Sequence, residues 1–417
     1  MRMTALAKLR GVREIPFAST LVWYGAYVAL SLCVGVSLLI ALPLAGYSSA
    51  AAGIAAGAVA AGRAVGAPVW SRQVDRRGST FVITRAACAH AAAMTALATA
   101  VGFRAATPVV LVLAALSSAA LPPVTESIRG AWSRASLASH DASRLAAADS
   151  VVNEAALLVG PLILGVVALL RWPPGLVAVV GFGSAIAAMR ANSRLTADSH
   201  RHAEQPSTAE ATRHDLLHAP GIGRALRRLL PVLVSIATLL TALSAAEVCI
   251  SQQARGVGSG VLLATWSALS LVATLAYARM SRAVPVALAT AVLLAAPAAA
   301  AVAIAISPNT AVLDAAFVVT GLAMGPALVS IRSQLLAMVG PHRPSETFAW
   351  VGVIGTISGA TGAALAGLLL SSGGLRALAQ LVAAVLAVGV VAALSTAARL
   401  RAVPAGTLAA AEASELA

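Results

Sequence analysis

Four ionisable side chains lie within long apolar stretches of the sequence, where they could take up and release protons: Glu154, Asp149, His90 and Glu247. A charge removed from water is costly unless it is paired or protonated. Glu154 lies several residues inside its apolar stretch, and we expect burial to favour its protonated form. The intrinsic pKa of a histidine suits a proton relay, although the position of His90 favours a hydrogen-bonded structural histidine. Glu247 lies where it can gate or simply reach water.

The segment around Glu154 predicts a helix with two different polar faces. At about 100° per residue, Asp149 and Asn153 share a face with Gly160, whereas Glu154 points away from Asp149. We therefore expect the two carboxylates to serve different neighbours. Gly160 and Pro161 follow as a pair that is typical of a helix kink or of close helix packing.

Small hydroxyl side chains recur every three residues in another apolar stretch, and they could line a binding cavity. The side chains expected to line it are Thr238, Thr241 and Ser244, joined by Tyr24 and Tyr27 near the N-terminus. The alternatives stay open, because Ser and Thr also bond to their own backbone and aromatic residues also form interfacial belts.

The composition places these stretches in a membrane. The 417-residue chain is 59% hydrophobic and 11% charged, against roughly 45–50% apolar residues in a soluble domain. Each bilayer crossing needs about 20 apolar residues, and the sequence predicts twelve spans, the fourth over 107–130 and the fifth over 146–170. The fold class is therefore an all-α integral membrane protein with two six-helix bundles, 1–191 and 226–417, joined by a linker over 192–225.

A short internal repeat supports this division into halves. Residues 123–129 read PVTESIR and residues 326–332 read PALVSIR, and both copies end a long apolar run and begin a basic loop. Glu126 and Arg129 are three residues apart and share one helix face, so we expect them to be partners. Arg332 is the matching residue of the second copy, where no carboxylate is present.

The net charge of +14 has a topological explanation, which makes a nucleic-acid role unnecessary. With a cytoplasmic N-terminus, 25 of the 29 Lys and Arg residues fall on the cytoplasmic side. This distribution is typical of the positive-inside rule and predicts that both termini are cytoplasmic. The outer side keeps four basic residues, which are Arg104, Arg171, Arg255 and Arg376.

The short loop between spans two and three carries the most specific motif, SRQVDRRG over residues 71–78. It resembles the loop signature of the major facilitator superfamily, in which a glycine is followed four residues later by aspartate, a basic residue, any residue and glycine. Asp75, Arg76 and Gly78 match, while Ser71 replaces the first glycine. Gly78 allows a positive φ, and Asp75 can pair with a guanidinium or with the N-terminus of a facing helix.

This resemblance extends over the whole chain through span count, linker and repeat, and it implies the major facilitator fold with two pseudo-symmetric halves. It also implies a cytoplasmic gate that holds the halves together when the protein is open to the outside. The alternative for the loop is a solvated turn with fortuitous charges, and the alternative for Arg129 and Arg332 is that both simply snorkel to the interface. The residues expected in the gate are Asp75, Arg76, Gly78, Glu126, Arg129 and Arg332.

Gly160 and Pro161 also resemble the centre of a motif in span five of antiporter members of the superfamily, with Ala156 at the place of its first glycine. The resemblance implies proton-coupled export. The arginine that such antiporters carry in the middle of span four has no counterpart here, because residues 111–121 contain no charge.

Together these features predict a transporter of the cytoplasmic membrane that exports a small amphipathic compound in exchange for protons and acts as a monomer. The alternatives are an uptake permease or uniporter of the same fold, and a membrane sensor or scaffold that transports nothing. An enzyme is not indicated, because the chain lacks a GxxxxGK[ST] phosphate loop. Its three cysteines show no metal or disulfide spacing, so we expect neither cofactor nor metal.

The charge distribution makes the topology testable. Cysteines introduced into the linker over 192–224 should be inaccessible to an impermeant thiol reagent in intact cells, whereas a cysteine replacing Gly373 should react. Permeabilised cells provide the control, because both sites should then react. Labelling of the linker from outside intact cells would contradict the predicted orientation.

Overall fold

The computed structural model describes residues 20–139, 142–169, 171–202, 222–253, 257–279, 285–339, 343–372 and 374–401. The residues that it describes form thirteen helices. They are α1 (Leu21–Leu44), α2 (Ser49–Arg77), α3 (Ser79–Gly102), α4 (Thr107–Ala119), α5 (Val124–Ser139), α6 (Ala142–Ala168), α7 (Pro173–His202), α8 (Ile222–Gln253), α9 (Val257–Arg279), α10 (Val286–Ile306), α11 (Thr310–Met338), α12 (Pro344–Ser372) and α13 (Gly374–Arg401).

Within the described residues, ten helical segments are long and apolar enough to cross a membrane, and one of them joins α4 to the start of α5. Helix α6 occupies the position of predicted span five, 146–170, and α9 that of predicted span eight, 258–279. A bilayer offers no water to backbone polar groups, so a spanning chain must satisfy its own N–H and C=O groups, as helices do. The prediction of a multi-pass, all-helical membrane protein is confirmed.

The fourth predicted span is not one continuous helix. Helix α4 ends at Ala119 and α5 begins at Val124, because the Pro122–Pro123 pair lies between them. Proline lacks an N–H group and disfavours the helical conformation of the residue before it. In the second copy of the repeat a single proline, Pro326, lies inside the unbroken helix α11.

Side chains from two neighbouring helices bind carbonyl groups at this break. The indole Nε1 of Trp70 on α2 donates to the carbonyl of Ala119 at 2.9 Å, and the hydroxyl of Tyr27 on α1 donates to the carbonyl of Pro122. Helices α2 and α4 also approach closely, since a Cβ atom at Gly62 would collide with the backbone of Ala115. The break is therefore held in a defined geometry.

The chain divides into two compact units. The first comprises Met1–Leu226 together with Leu336–Thr356, and the second comprises Arg227–Leu335 together with Ile357–Ala417. In the first unit, α1 packs against α2, α6 and α7, and α3 packs against α4 and α7; in the second, α10 packs against α13. The bundle boundaries that the sequence predicts, at 191 and 226, stay a prediction.

A single residue, Gly78, connects α2 to α3. Its φ of 86° and ψ of 152° belong to a region that is almost exclusive to glycine. Its N–H group bonds to the carbonyl of Val74 at 2.9 Å and ends α2. The next helix begins at once with Ser79, so the position of Asp75 in the last turn of α2 depends on this turn.

Replacing Gly78 with alanine should lower the free energy of unfolding by about 1–3 kcal/mol through backbone strain. Strain is the expected cause, because an added Cβ would meet none of the described atoms within 4 Å. Gly57→Ala on α2 is the matched control, because that site is equally open and helical, and the change should stabilise by about 0.5–1 kcal/mol. Unfolding in detergent micelles measures the change in free energy for each variant. Equal changes in the two variants would contradict backbone strain as the cause.

Candidate functional site

Asp75 caps the N-terminus of α12. Its carboxylate accepts the backbone N–H of Glu346 at 2.8 Å and that of Ser345 at 3.3 Å. The first N–H groups of a helix have no partner within the helix, and the positive end of the helix dipole favours an anion there. The structure shows the pairing with a helix N-terminus, one of the two that the sequence allowed for Asp75.

Helix α5 adds further contacts in the same unit. The hydroxyl of Ser133 donates to the carbonyl of Leu336 at 3.0 Å and to that of Val339 at 3.2 Å. Gly130 lies so close to the start of α12 that an added Cβ would come within 2.8 Å of the Ser345 hydroxyl. The last turn of α11 and the first turn of α12 are thus held by α5 and by the loop of Asp75.

Arg129 on α5 forms a bidentate ion pair with Asp149 on α6. Its Nη2 lies 3.1 Å from Oδ2 of Asp149, and its Nε donates to Oδ1 at 3.2 Å. The hydroxyl of Tyr24 on α1 donates to the same Oδ1 at 2.6 Å. Because Asp149 is only 2% exposed, the guanidinium and the hydroxyl replace the water that its charge would otherwise need.

Two further side chains complete this cluster. The amide of Asn153, one turn along α6, donates to the backbone carbonyl of Asp149 at 2.8 Å. The indole of Trp132, which is completely buried, packs edge-on against the ring of Tyr24 with centroids 5.9 Å apart. Asp149 and Asn153 share a face, as the helical spacing predicts. We call Tyr24, Arg129, Trp132, Asp149 and Asn153 the Asp149 cluster.

The direct ion pair of Arg129 is with Asp149 rather than with Glu126, which acts on the same guanidinium as a further negative charge. Glu126 is buried on α5 at 7% exposure, but the ion pair of Arg129 is with Asp149 on the next helix. A spacing of three residues places two side chains on one face, whereas a planar guanidinium gains more from a bidentate contact in a dry site. Arg332 is partly buried on α11.

The remaining proton-coupling candidates differ in their surroundings. His90 is fully buried, with Nδ1 2.7 Å from the carbonyl of Ser117 and Nε2 3.0 Å from the hydroxyl of Ser184. Since a carbonyl can only accept, Nδ1 carries a proton and both ring nitrogens are engaged. This favours a structural histidine. Glu154 is partly buried, and Glu247 is exposed near the end of α8.

The hydroxyl stripe on α8 bonds largely to backbone. Thr238 donates to the carbonyl of Val234 at 3.0 Å, and Thr241 donates to those of Ala237 and Ser358. These bonds favour the packing alternative for both threonines. Ser244 lies where an added Cβ at Gly359 would come within 3.1 Å of its hydroxyl, which places it at a close helix approach.

Other predicted residues also serve packing. Tyr24 and Tyr27 are both buried and have protein partners. Gly160 lies against α1, because a Cβ there would come within 2.8 Å of the sulfur of Cys33. Helix α6 continues through Pro161. Arg76 is exposed in the last turn of α2.

Comparison with known proteins identifies the fold. No family model matches the chain, and no curated protein matches its sequence. Solved structures do match over nearly the whole chain. The human organic anion transporter MFSD10 has a TM-score of 0.68 at 16% identity, covering 91% of this chain and 100% of that one.

Two further structures agree with this result. A bacterial homologue of the iron transporter ferroportin, in an outward-facing state, has a TM-score of 0.70 at 13% identity, covering 92% of this chain and 98% of that one. The major facilitator superfamily proton:xylose symporter XylE has a TM-score of 0.63 at 14% identity, covering 93% and 95%. The chain therefore has the major facilitator fold, as its loop signature implies.

Proposed function

We propose that this protein is a secondary active transporter that exports a small amphipathic compound in exchange for protons by alternating access. One observation carries the proposal: Asp75, in the loop that resembles the superfamily signature, caps the first turn of α12. The fold neighbours, described as an organic anion transporter, a relative of an iron transporter and a proton:xylose symporter, support a transport role.

The energetics of the Asp75 contact suit a switch. A hydrogen bond to a charged group contributes about 1.5–3 kcal/mol, and Asp75 accepts two from backbone amides. This sum is similar to the few kcal/mol that separate two populated conformations of a protein. We infer that the contact forms when the cytoplasmic side is closed and breaks when it opens, without loss of packed core.

The proton step is best assigned to Asp149, although the sequence alone favoured Glu154. Asp149 is buried, and its charge is balanced mainly by Arg129, so protonation of the carboxylate would release the guanidinium. Proton and arginine thus compete for one carboxylate, on the helix that follows α5. Since α5 also bonds to the end of α11 through Ser133, release of Arg129 would weaken the same region that Asp75 holds.

Export is part of the proposal. The first alternative is an uptake permease or uniporter of the same fold, and the second is a membrane sensor or scaffold that transports nothing. A toxicity screen in an efflux-deficient host identifies the exported compound. Inverted vesicles with an imposed pH gradient then separate these functions: proton-coupled export gives accumulation driven by the gradient, an uptake permease or uniporter gives equilibration at most, and a sensor or scaffold gives neither.

In this assay Asp149→Asn should abolish accumulation driven by the pH gradient, because an amide cannot exchange a proton, while passive exchange of the compound survives. Glu154→Gln should keep most of the driven accumulation. Glu247→Gln, an exposed carboxylate removed in the same way, is the control and should behave as the wild type.

The Asp149→Asn change also leaves the charge of Arg129 unpaired, which costs about 3–5 kcal/mol in a buried site. The double variant Asp149→Asn/Arg129→Gln removes both charges and should restore the protein level but not the coupling. Loss of driven accumulation in Glu154→Gln but not in the double variant would contradict the assignment and return it to Glu154.

A further inference from the structure

The second unit contains a cavity of about 320 Å³ that the transport proposal does not use. It is a partly open cavity lined by side chains of α8, α9, α10, α11 and α13, at the end of the unit where α8 finishes and where α11 and α13 begin. Ligand pockets of small molecules start at about this volume. All of its lining residues belong to the second unit, so the cavity is a feature of that unit alone.

Small side chains create the space. Seven of the lining residues are alanines, among them Ala245 on α8 and Ala301 on α10, and Phe317 on α11 supplies an aromatic wall. Closely packed cores rarely leave voids much larger than a water molecule. The cavity is partly open, and its mostly apolar lining lacks packing partners across that space, so an apolar ligand would supply the missing dispersion contacts.

The polar groups of the lining are few, and one of them is already engaged. The hydroxyl of Thr320 donates to the carbonyl of Ala316 at 2.7 Å and accepts the indole N–H of Trp266 at 3.2 Å. This leaves the thiol of Cys249 and the carboxylate of Asp314. A polyhydroxylated ligand would lose its hydration without recovering hydrogen bonds, and an anion would face a carboxylate.

Asp314 lies in the first turns of α11 and is exposed. Among the residues that the structure describes, none forms an ion pair or a hydrogen bond with its side chain. The negative charge therefore stands at one end of an apolar cavity. This arrangement is complementary to a molecule with an apolar body and one positive charge.

We propose that this cavity binds a monovalent amphipathic cation, with the apolar body between α8, α10 and α11 and the cationic group beside Asp314. The volume limits the ligand to a compact body such as a phenylalkyl ammonium ion. The binding site is independent of the proton step at Asp149 and does not require that the protein transports its ligand.

Cys249 provides the readout, because its partly buried thiol lines the cavity. In protein reconstituted in lipid nanodiscs, with Cys33 and Cys88 replaced by alanine, the rate of maleimide labelling reports occupancy. The probe is 4-phenylbutyltrimethylammonium, and its uncharged tert-butyl isostere is the matched ligand control. We expect the cation to slow labelling saturably and the isostere to do so only at higher concentration.

Three variants separate the effect of charge from that of shape. Asp314→Asn should weaken protection by the cation up to about fivefold, as expected for an exposed charge pair, and leave the isostere unchanged. Glu247→Gln removes a carboxylate two residues from Cys249 that does not line the cavity, and it should leave the protection intact. Ala246→Phe fills the cavity and should abolish protection by both ligands.

Equilibrium dialysis of the radiolabelled cation against nanodiscs with and without protein measures binding without relying on thiol reactivity. Saturable binding that Asp314→Asn weakens and Ala246→Phe removes would support the proposal. Binding of cation and isostere with equal affinity, or binding that survives Ala246→Phe, would overturn it. Absence of protein-dependent binding in the dialysis would overturn it as well.

Discussion

A carboxylate that leaves water must be met by a positive charge or by hydrogen-bond donors, and the first unit of this protein is organised around two such carboxylates. Asp75 is met by the unpaired amides at the start of α12. Asp149 is met by the guanidinium of Arg129 and the hydroxyl of Tyr24. In an apolar bundle these donors have few alternative partners, so each carboxylate fixes which helix ends lie together.

Helix α5 connects the two carboxylates. It begins at a break in the fourth span, it carries Arg129 toward Asp149, and it bonds through Ser133 to the end of α11. A change of charge at Asp149 would therefore act on an element that also contacts the region capped by Asp75. Two sites that contact one packed helix can be coupled if that helix has two arrangements and both sites favour one of them.

The local features of this arrangement were predictable from the sequence. The conformation of Gly78 followed from the shortness of the connection, and the common face of Asp149 and Asn153 followed from the helical period. The partner of Arg129 was not predictable, because spacing along one helix gives no information about the neighbouring helix. The Pro122–Pro123 pair was a sequence signal for the helix break, but the apolar residues on both sides of it favoured the prediction of one continuous span.

The two copies of the repeat also show that a sequence pattern does not reveal which neighbouring helix a residue contacts. Where the first copy has two prolines and a break, the second has Gly325 before Pro326 and an unbroken helix. A Cβ at Gly325 would collide with Thr274 and Ser270 of α9, so the glycine permits a close helix contact instead. Similar sequences thus pack differently in the two copies, and only the contacts in the structure show how each copy packs.

The central claim is that the Asp75 contact opens and closes. The distance between spin labels at Arg77→Cys and Gly352→Cys, two exposed sites on α2 and α12, tests it most directly, with the native cysteines replaced. We expect one short distance in the protein with Asp75 intact and an added population at longer distance in Asp75→Asn, because the amide cannot hold the first turn of α12 as an anion does. The same single distance in both proteins would contradict the account.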